Sequence, residues 1–190
     1  MKTELSSYIR IFPQAVDSSS CKQTIQELKT IDKKDWEPHE FRYHTTVPQT
    51  HKDDLEVIHL GEKISTQPLI MKKLWPLINT YIKELEFKWF NSWAGYSPIR
   101  FNRYKKNKFM AQHCDHIQSL FDGERKGIPI LSIIGLLNNN FTGGDLVMLN
   151  DYKVNLKAGD VMLFPSSFLY PHYVKPIKTG TRYTFVSWVW

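Results

Sequence analysis

The sequence predicts an α+β, mainly β fold: a β core supported by helices nearer the N-terminus. Three observations predict it. From about Phe87 onward, short apolar runs alternate with turn signals such as Asn138-Asn139-Asn140, Thr142-Gly143-Gly144, Ala158-Gly159-Asp160 and Lys178-Thr179-Gly180, the spacing of an all-β barrel or sandwich. Before that point, two stretches repeat apolar residues at helical spacing. The composition, 42% hydrophobic and 14% aromatic over 190 residues, can fill one core and is not that of a disordered chain. No linker, internal repeat or low-complexity tract interrupts the sequence. Residues 1–190 therefore read as one domain, with about 1–97 as helix-rich support and about 98–190 as the β core.

In chain order, Ser20 followed by Gln23 resembles a capping box, opening a helix with Ile25, Leu28 and Ile31 on one side. Residues 36–50 read as a strand and a loop. Their aromatics Trp36, Phe41 and Tyr43 suit either a substrate cover or loop anchors. Ser65 or Thr66 caps a second helix with Pro68 in its first turn. Ile70, Leu74, Leu77, Ile78, Tyr81, Ile82 and Leu85 form its core stripe, and Pro76 should kink or divide it. Strands are expected near 88–93, 99–104, 112–116, 130–138, 145–149, 153–156, 161–164, 170–174 and 181–190.

Composition also narrows function. The net charge is +6, but the lysines are spread out, which describes a solvated basic surface better than a nucleic-acid site. No run approaches the ~18 apolar residues of a membrane span. Two cysteines, Cys21 and Cys114, give no disulfide framework, and no secretory signal opens the chain, so a cytoplasmic setting is expected.

The chemistry concentrates at Gln112-His113-Cys114-Asp115. In an extended strand, His113 and Asp115 project to one face, while Cys114 and His116 point away. An imidazole and a carboxylate on one face can chelate a metal. A second imidazole from a distant strand would complete a two-His, one-carboxylate triad with open coordination positions. By itself His-x-Asp is a common pair with no metal at all. His172, between Pro171 and Tyr173, can equally be an ordinary strand-end residue. By alternation Arg182, Thr184, Val186 and Trp188 share the inward face of the last strand. An inward arginine is costly unless an anion meets it, whether a structural carboxylate or a ligand.

The context decides between these readings by resemblance. Residues 103–115, with Tyr104 nine before His113, resemble the Fe(II)/2-oxoglutarate oxygenases, and within them the prolyl 4-hydroxylase-like branch of compact bacterial and viral type. So do Leu136-Leu137-Asn138, Phe141-Thr142-Gly143-Gly144-Asp145, Gly159-Asp160, Phe164-Pro165-Ser166, His172-Tyr173-Val174 and Gly180-Thr181-Arg182-Tyr183 with Trp188. Asn107 replaces the family's usual glycine, a mild departure because Asn tolerates a left-handed turn. Leu136 replaces a tyrosine.

The resemblance implies a double-stranded β-helix, or jelly roll. It implies Fe(II) held by His113, Asp115 and His172, and 2-oxoglutarate held through its distal carboxylate by Arg182. Tyr104 would hydrogen-bond the cosubstrate, Ser132 would place a hydroxyl near that carboxylate, and Trp188 would pack beside the site; Tyr104 and Trp188 can equally be core. O2 is the second cosubstrate, and ascorbate a candidate reductant. The implied reaction hydroxylates a peptidyl proline while decarboxylating 2-oxoglutarate to succinate. The implied partner is an extended proline-containing peptide in a groove under the 36–50 loop. Other side chains, free amino acids and nucleobases remain alternatives, as does a jelly-roll binding module without catalysis. The charges of iron, Asp115, 2-oxoglutarate and Arg182 cancel, as a buried site requires.

Overall fold

The computed structural model describes residues 4–41, 49–50, 54–59, 63–90, 93–115 and 129–190. Its elements are, in order, β1 (Arg10–Phe12), α1 (Ser18–Thr30), β2 (Glu37–Pro38), β3 (Glu40–Phe41), β4 (Gln49–Thr50), β5 (Glu56–Ile58), α2 (Gln67–Leu85), β6 (Arg100–Tyr104), β7 (Met110–His113), β8 (Leu131–Leu136), β9 (Phe141–Gly143), β10 (Leu146–Met148), β11 (Tyr152–Val154), β12 (Val161–Pro165), β13 (His172–Val174), β14 (Ile177–Gly180) and β15 (Arg182–Val189). Short 3-10 turns at Leu5–Tyr8 and Lys33–Asp35 complete them. No helix among the described residues is long and apolar enough to cross a membrane.

The strands form a double-stranded β-helix. A seven-stranded sheet runs β1-β12-β8-β15-β6-β5-β2, and a four-stranded sheet runs β11-β10-β13-β7. Neighbours in both are antiparallel. The pairs β9–β14 and β3–β4 stand apart. The large sheet is covered on both faces, and period-two alternation sorts its side chains between two cores. Leu131 and Ile133 of β8, Val161 and Leu163 of β12, and Tyr183, Phe185 and Val189 of β15 join Leu28 of α1 and Ile70, Leu74 and Ile78 of α2. Their alternates Ile134, Met162, Phe164 and Val186 meet Met110, Leu146, Met148 and Val174 of the small sheet. Function lies in this second, inter-sheet space.

Gly135 shows how tightly the helix side is packed. A Cβ there would lie 2.0 Å from Phe185 Cζ, so the ring occupies the space a side chain on β8 would need.

Several expectations are corrected. The cap of α1 is Asp17, not Ser20: the Asp17 carboxylate accepts from the Ser20 amide at 2.8 Å. Gln23 instead bonds Glu27 and Ser65. In α2, Thr66 makes no capping bond; its hydroxyl meets that of Thr24 at 2.6 Å. The helix runs unbroken through Pro76, which lies on its exposed face, where water can satisfy the carbonyl that proline leaves unpaired. Residues 88–89 form a turn rather than a strand, closed by the Phe90 amide on the Phe87 carbonyl. Two segments read as turns pair instead as β9 and β14. The N-terminal part is more than helical support, because β1, β2 and β5 extend both edges of the large sheet. Trp36 is a buried anchor beneath the Arg103 guanidinium, 3.9 Å from its ring centroid. Tyr43, His116 and the Asp122-Gly123 turn lie outside the described residues.

Candidate active site between the sheets

The site is assembled from strands facing across the inter-sheet space. His113 on β7 and His172 on β13 are directly paired, so their imidazoles stand side by side with ring centroids 4.3 Å apart. Each Nδ1 faces a backbone carbonyl two residues earlier, His113 with Ala111 at 2.8 Å and His172 with Tyr170 at 3.2 Å. A carbonyl only accepts, so both Nδ1 atoms carry protons and both Nε2 lone pairs are left for a ligand. Burial, then the neighbouring His113, lowers the His172 pKa to about 4, which keeps it neutral near pH 7.

Asp115 does not arrive by strand alternation. β7 ends at His113, and Asp115 sits in the bend beyond it. The large sheet places it: Ser132 Oγ donates to Asp115 Oδ2 at 2.5 Å and Trp188 Nε1 to the same oxygen at 2.9 Å. Ser132 and Trp188 are themselves a cross-strand pair of β8 and β15, so they reach in at one level. Oδ1 is left toward the imidazoles, 3.4 Å from His113 Nε2 and 3.8 Å from His172 Nε2. One ligand atom from each of the three residues lies within 4.8 Å of the others. Burial alone would raise the Asp115 carboxyl, but His172, His113 and the Ser132 hydroxyl outweigh it and hold it well below the usual range. Two neutral imidazole nitrogens and one ionised carboxylate oxygen converging in a buried space fit a divalent metal.

Arg182 lies at the other end of the cleft. It is buried, its guanidinium carbon is 4.9 Å from the ring centroid of Tyr104, its partner on β6, and burial lowers its pKa. No ion pair joins Arg182 to a carboxylate among the described residues. Gly144 leaves room for it: a Cβ there would lie 2.3 Å from Ile177 Cδ1 and 3.3 Å from Arg182 Cδ. Tyr104 lines the cleft with its hydroxyl 3.5 Å from Met110 Sδ. Arg182, Thr184, Val186 and Trp188 all line the cleft.

Ser132 departs from its expected place. It sits at the metal end, paired with Trp188, six residues along β15 from Arg182. At ~3.3 Å per residue that is roughly 20 Å of strand, so Ser132 cannot share a carboxylate with Arg182. Thr184 is the hydroxyl on the arginine's side. Trp188 is a hydrogen-bonding partner of Asp115 as well as packing. Cys114 is unpaired and half-buried. Asn138 and Asp160, which carried the resemblance, are structural. Asn138 accepts from the Tyr183 amide and donates to the Thr181 carbonyl, both at 2.8 Å, and Asp160 accepts the Gln14 and Lys157 amides.

Three polar residues were missed. Arg100 and Asn102 share the inward face of β6 with Tyr104 and line the cleft; a period of two counted back from Tyr104 could have found them. His39 is buried, and burial followed by the Arg100 charge lowers its pKa to about 2. Nothing in its sequence neighbourhood signals it.

Comparison with known proteins agrees with this geometry. Residues 99–190 match the 2OG-Fe(II) oxygenase superfamily. A PKHD-type hydroxylase of Acinetobacter baumannii is 38% identical over 98 residues, 48% of this chain and 42% of the relative. One of Shewanella baltica is 30% identical over 145 residues, 74% of this chain and 58% of the relative. The matched region thus spans about half the length of these relatives. A viral collagen prolyl hydroxylase of Paramecium bursaria Chlorella virus-1, in complex with 2OG, superposes with a TM-score of 0.65 at 14% identity, covering 96% of this chain and 94% of that one. A prolyl hydroxylase of Trichoplax adhaerens, bound to a hypoxia inducible factor peptide fragment, gives 0.68 at 17%, covering 96% and 83%. The fold is that of the prolyl hydroxylases, and the chain belongs to the 2OG-Fe(II) oxygenase superfamily, whose chemistry takes Fe(II), 2-oxoglutarate and O2.

Proposed function

We propose that this chain is an Fe(II)- and 2-oxoglutarate-dependent dioxygenase that hydroxylates a peptidyl proline. One observation carries the reading: His113 Nε2, His172 Nε2 and Asp115 Oδ1 converge while every other polar atom of the three side chains is engaged elsewhere. Such a set holds a metal on one face and leaves the opposite positions open. When bound, iron and 2-oxoglutarate supply the oxidising chemistry, coupling decarboxylation of the cosubstrate to succinate with insertion of oxygen into a C–H bond.

The residues of this chain do the positioning. Arg182, buried beside Tyr104, offers a planar donor pair to the distal carboxylate of the cosubstrate. Thr184 adds a hydroxyl on the same wall. Ser132 and Trp188 hold Asp115 so that Oδ1 faces the metal position. Val174, Leu146 and Ile134 give the cleft an apolar wall that limits water around the reacting centre. A peptide as substrate is supported by the peptide-bound prolyl hydroxylase with the same fold.

The test is turnover on proline-containing peptides with Fe(II) and 2-oxoglutarate, with and without ascorbate. Succinate should form in step with a gain of one oxygen on proline, read by mass spectrometry. His172→Ala should abolish metal binding and turnover while the circular dichroism spectrum stays unchanged. Succinate from the variant at the wild-type rate would remove His172 from the site, and oxygen found on another residue would remove proline.

A further inference from the structure

The cleft holds a second buried arginine that the cosubstrate does not account for. Arg100 opens β6 opposite Val186, four residues from the Tyr104–Arg182 pair, or about 13 Å along the sheet. The two arginines therefore mark opposite ends of the cleft. Arg100 is 9% exposed and lines it. Its Nε donates to Asn102 Oδ1 at 3.2 Å, and its guanidinium carbon lies 5.0 Å from the ring centroid of Trp188, the residue that holds Asp115. No ion pair joins it to a carboxylate among the described residues.

A buried guanidinium with one neutral hydrogen bond and one ring contact is under-compensated. Its lowered pKa, caused by burial and opposed by the Asp115 charge, agrees with that. The charge balance gives the same answer. Iron, Asp115, 2-oxoglutarate and Arg182 cancel, and Arg100 leaves one positive charge over. Among the described residues no carboxylate pairs with it, and it lines the cleft at the metal end, where the substrate's reacting carbon has to lie.

We infer that Arg100 is a specificity-determining residue that binds a carboxylate of the substrate, within a few ångströms of the carbon that is oxidised. The inference rests on reading the cleft as an oxygenase site. A guanidinium fork takes a carboxylate through two parallel hydrogen bonds, and Asn102 on Nε together with Trp188 against its plane orients that fork. The carboxylate has two possible sources, the α-carboxylate of a free amino acid or peptide terminus and an acidic side chain beside the target residue.

The test is binding, read by calorimetry on the full chain loaded with Zn(II) and 2-oxoglutarate, so that no substrate is consumed. The probes are matched pairs. N-acetylproline against its amide and N-acetylalanine against its amide test the α-carboxylate. Glu-Pro against Gln-Pro in an otherwise identical amidated peptide tests the side chain. In at least one pair the carboxylate member should bind about tenfold tighter or more, the size of a charge-assisted contact. Arg100→Gln should reduce that ratio to about twofold or less, and Arg100→Lys, which keeps the charge, should retain a preference. 2-Oxoglutarate affinity serves as the folding control. Equal binding within every pair of the wild type overturns the inference without any variant, as does a preference that survives Arg100→Gln; either outcome makes Arg100 a structural partner of Trp188. A carboxylate preference shared by alanine and proline pairs, with no proline oxidised in the Fe(II) turnover assay described above, upholds Arg100 and overturns the prolyl reading instead.

Discussion

Trp188 donates its indole N–H to Asp115 Oδ2 across 2.9 Å, joining the last strand of the large sheet to the bend that follows the small sheet's edge strand. Ser132, paired with Trp188 on the neighbouring strand, donates to the same oxygen. The carboxylate is thus gripped from one side and presents Oδ1 to the other.

Trp188→Phe keeps the ring and removes that donor. Metal affinity should fall about 10- to 100-fold, the usual loss when an outer partner of a ligand is deleted, with the thermal midpoint little changed. Competition against a chelator of known affinity measures it. Affinity equal to wild type would mean that Ser132 alone orients Asp115.

Arg182→Met keeps most of the stem's volume and removes the charge. The 2-oxoglutarate dissociation constant should rise about 100-fold or more, as expected for loss of a bidentate charge-assisted pair, while metal affinity stays the same. A calorimetric titration that gave the wild-type constant would assign the cosubstrate to another cation.

Gly135→Ala should destabilise the fold without touching the cleft. Its methyl would meet the Phe185 ring at 2.0 Å, and relieving such overpacking costs about 1–3 kcal/mol. Adding Phe185→Leu should restore part of the loss in urea unfolding. If the double variant were as unstable as the sum of its parts, the ring would not be the obstacle.

His39 should make stability fall with acid. Burial lowers its pKa from 6.5 to about 2, so between those values the unfolded chain binds a proton that the folded chain refuses. Its contribution is complete above pH 6.5 and is lost as the pH drops, at about 1.4 kcal/mol per pH unit. In His39→Leu the acid limb of stability against pH should be shallower by about one proton. An identical slope would show that His39 protonates without unfolding.

The readable parts of the fold are those set by local alternation. Arg182, Thr184, Val186 and Trp188 do face inward together, because a strand imposes a period of two whatever surrounds it. Asn107 adopts φ 66°, in keeping with the residue that replaces glycine in a left-handed turn. The strands β1 and β5 were not readable. Each is three residues long, and each pairs with a core strand far away in sequence.

By itself the sequence determined the mainly β class, the inward faces of the core strands and the residue types available to the site. Each of these follows from side-chain type and spacing along one strand. Only the tertiary structure decided which of those residues meet. It brought His113 against His172, turned Asp115 inward from a bend where alternation no longer applies, assigned Ser132 to that carboxylate, and buried Arg100 against Trp188 with no ion pair among the described residues. Those relationships depend on which strands pair and in what register, and the partners lie far apart in the chain, so the pattern within any one strand does not name them.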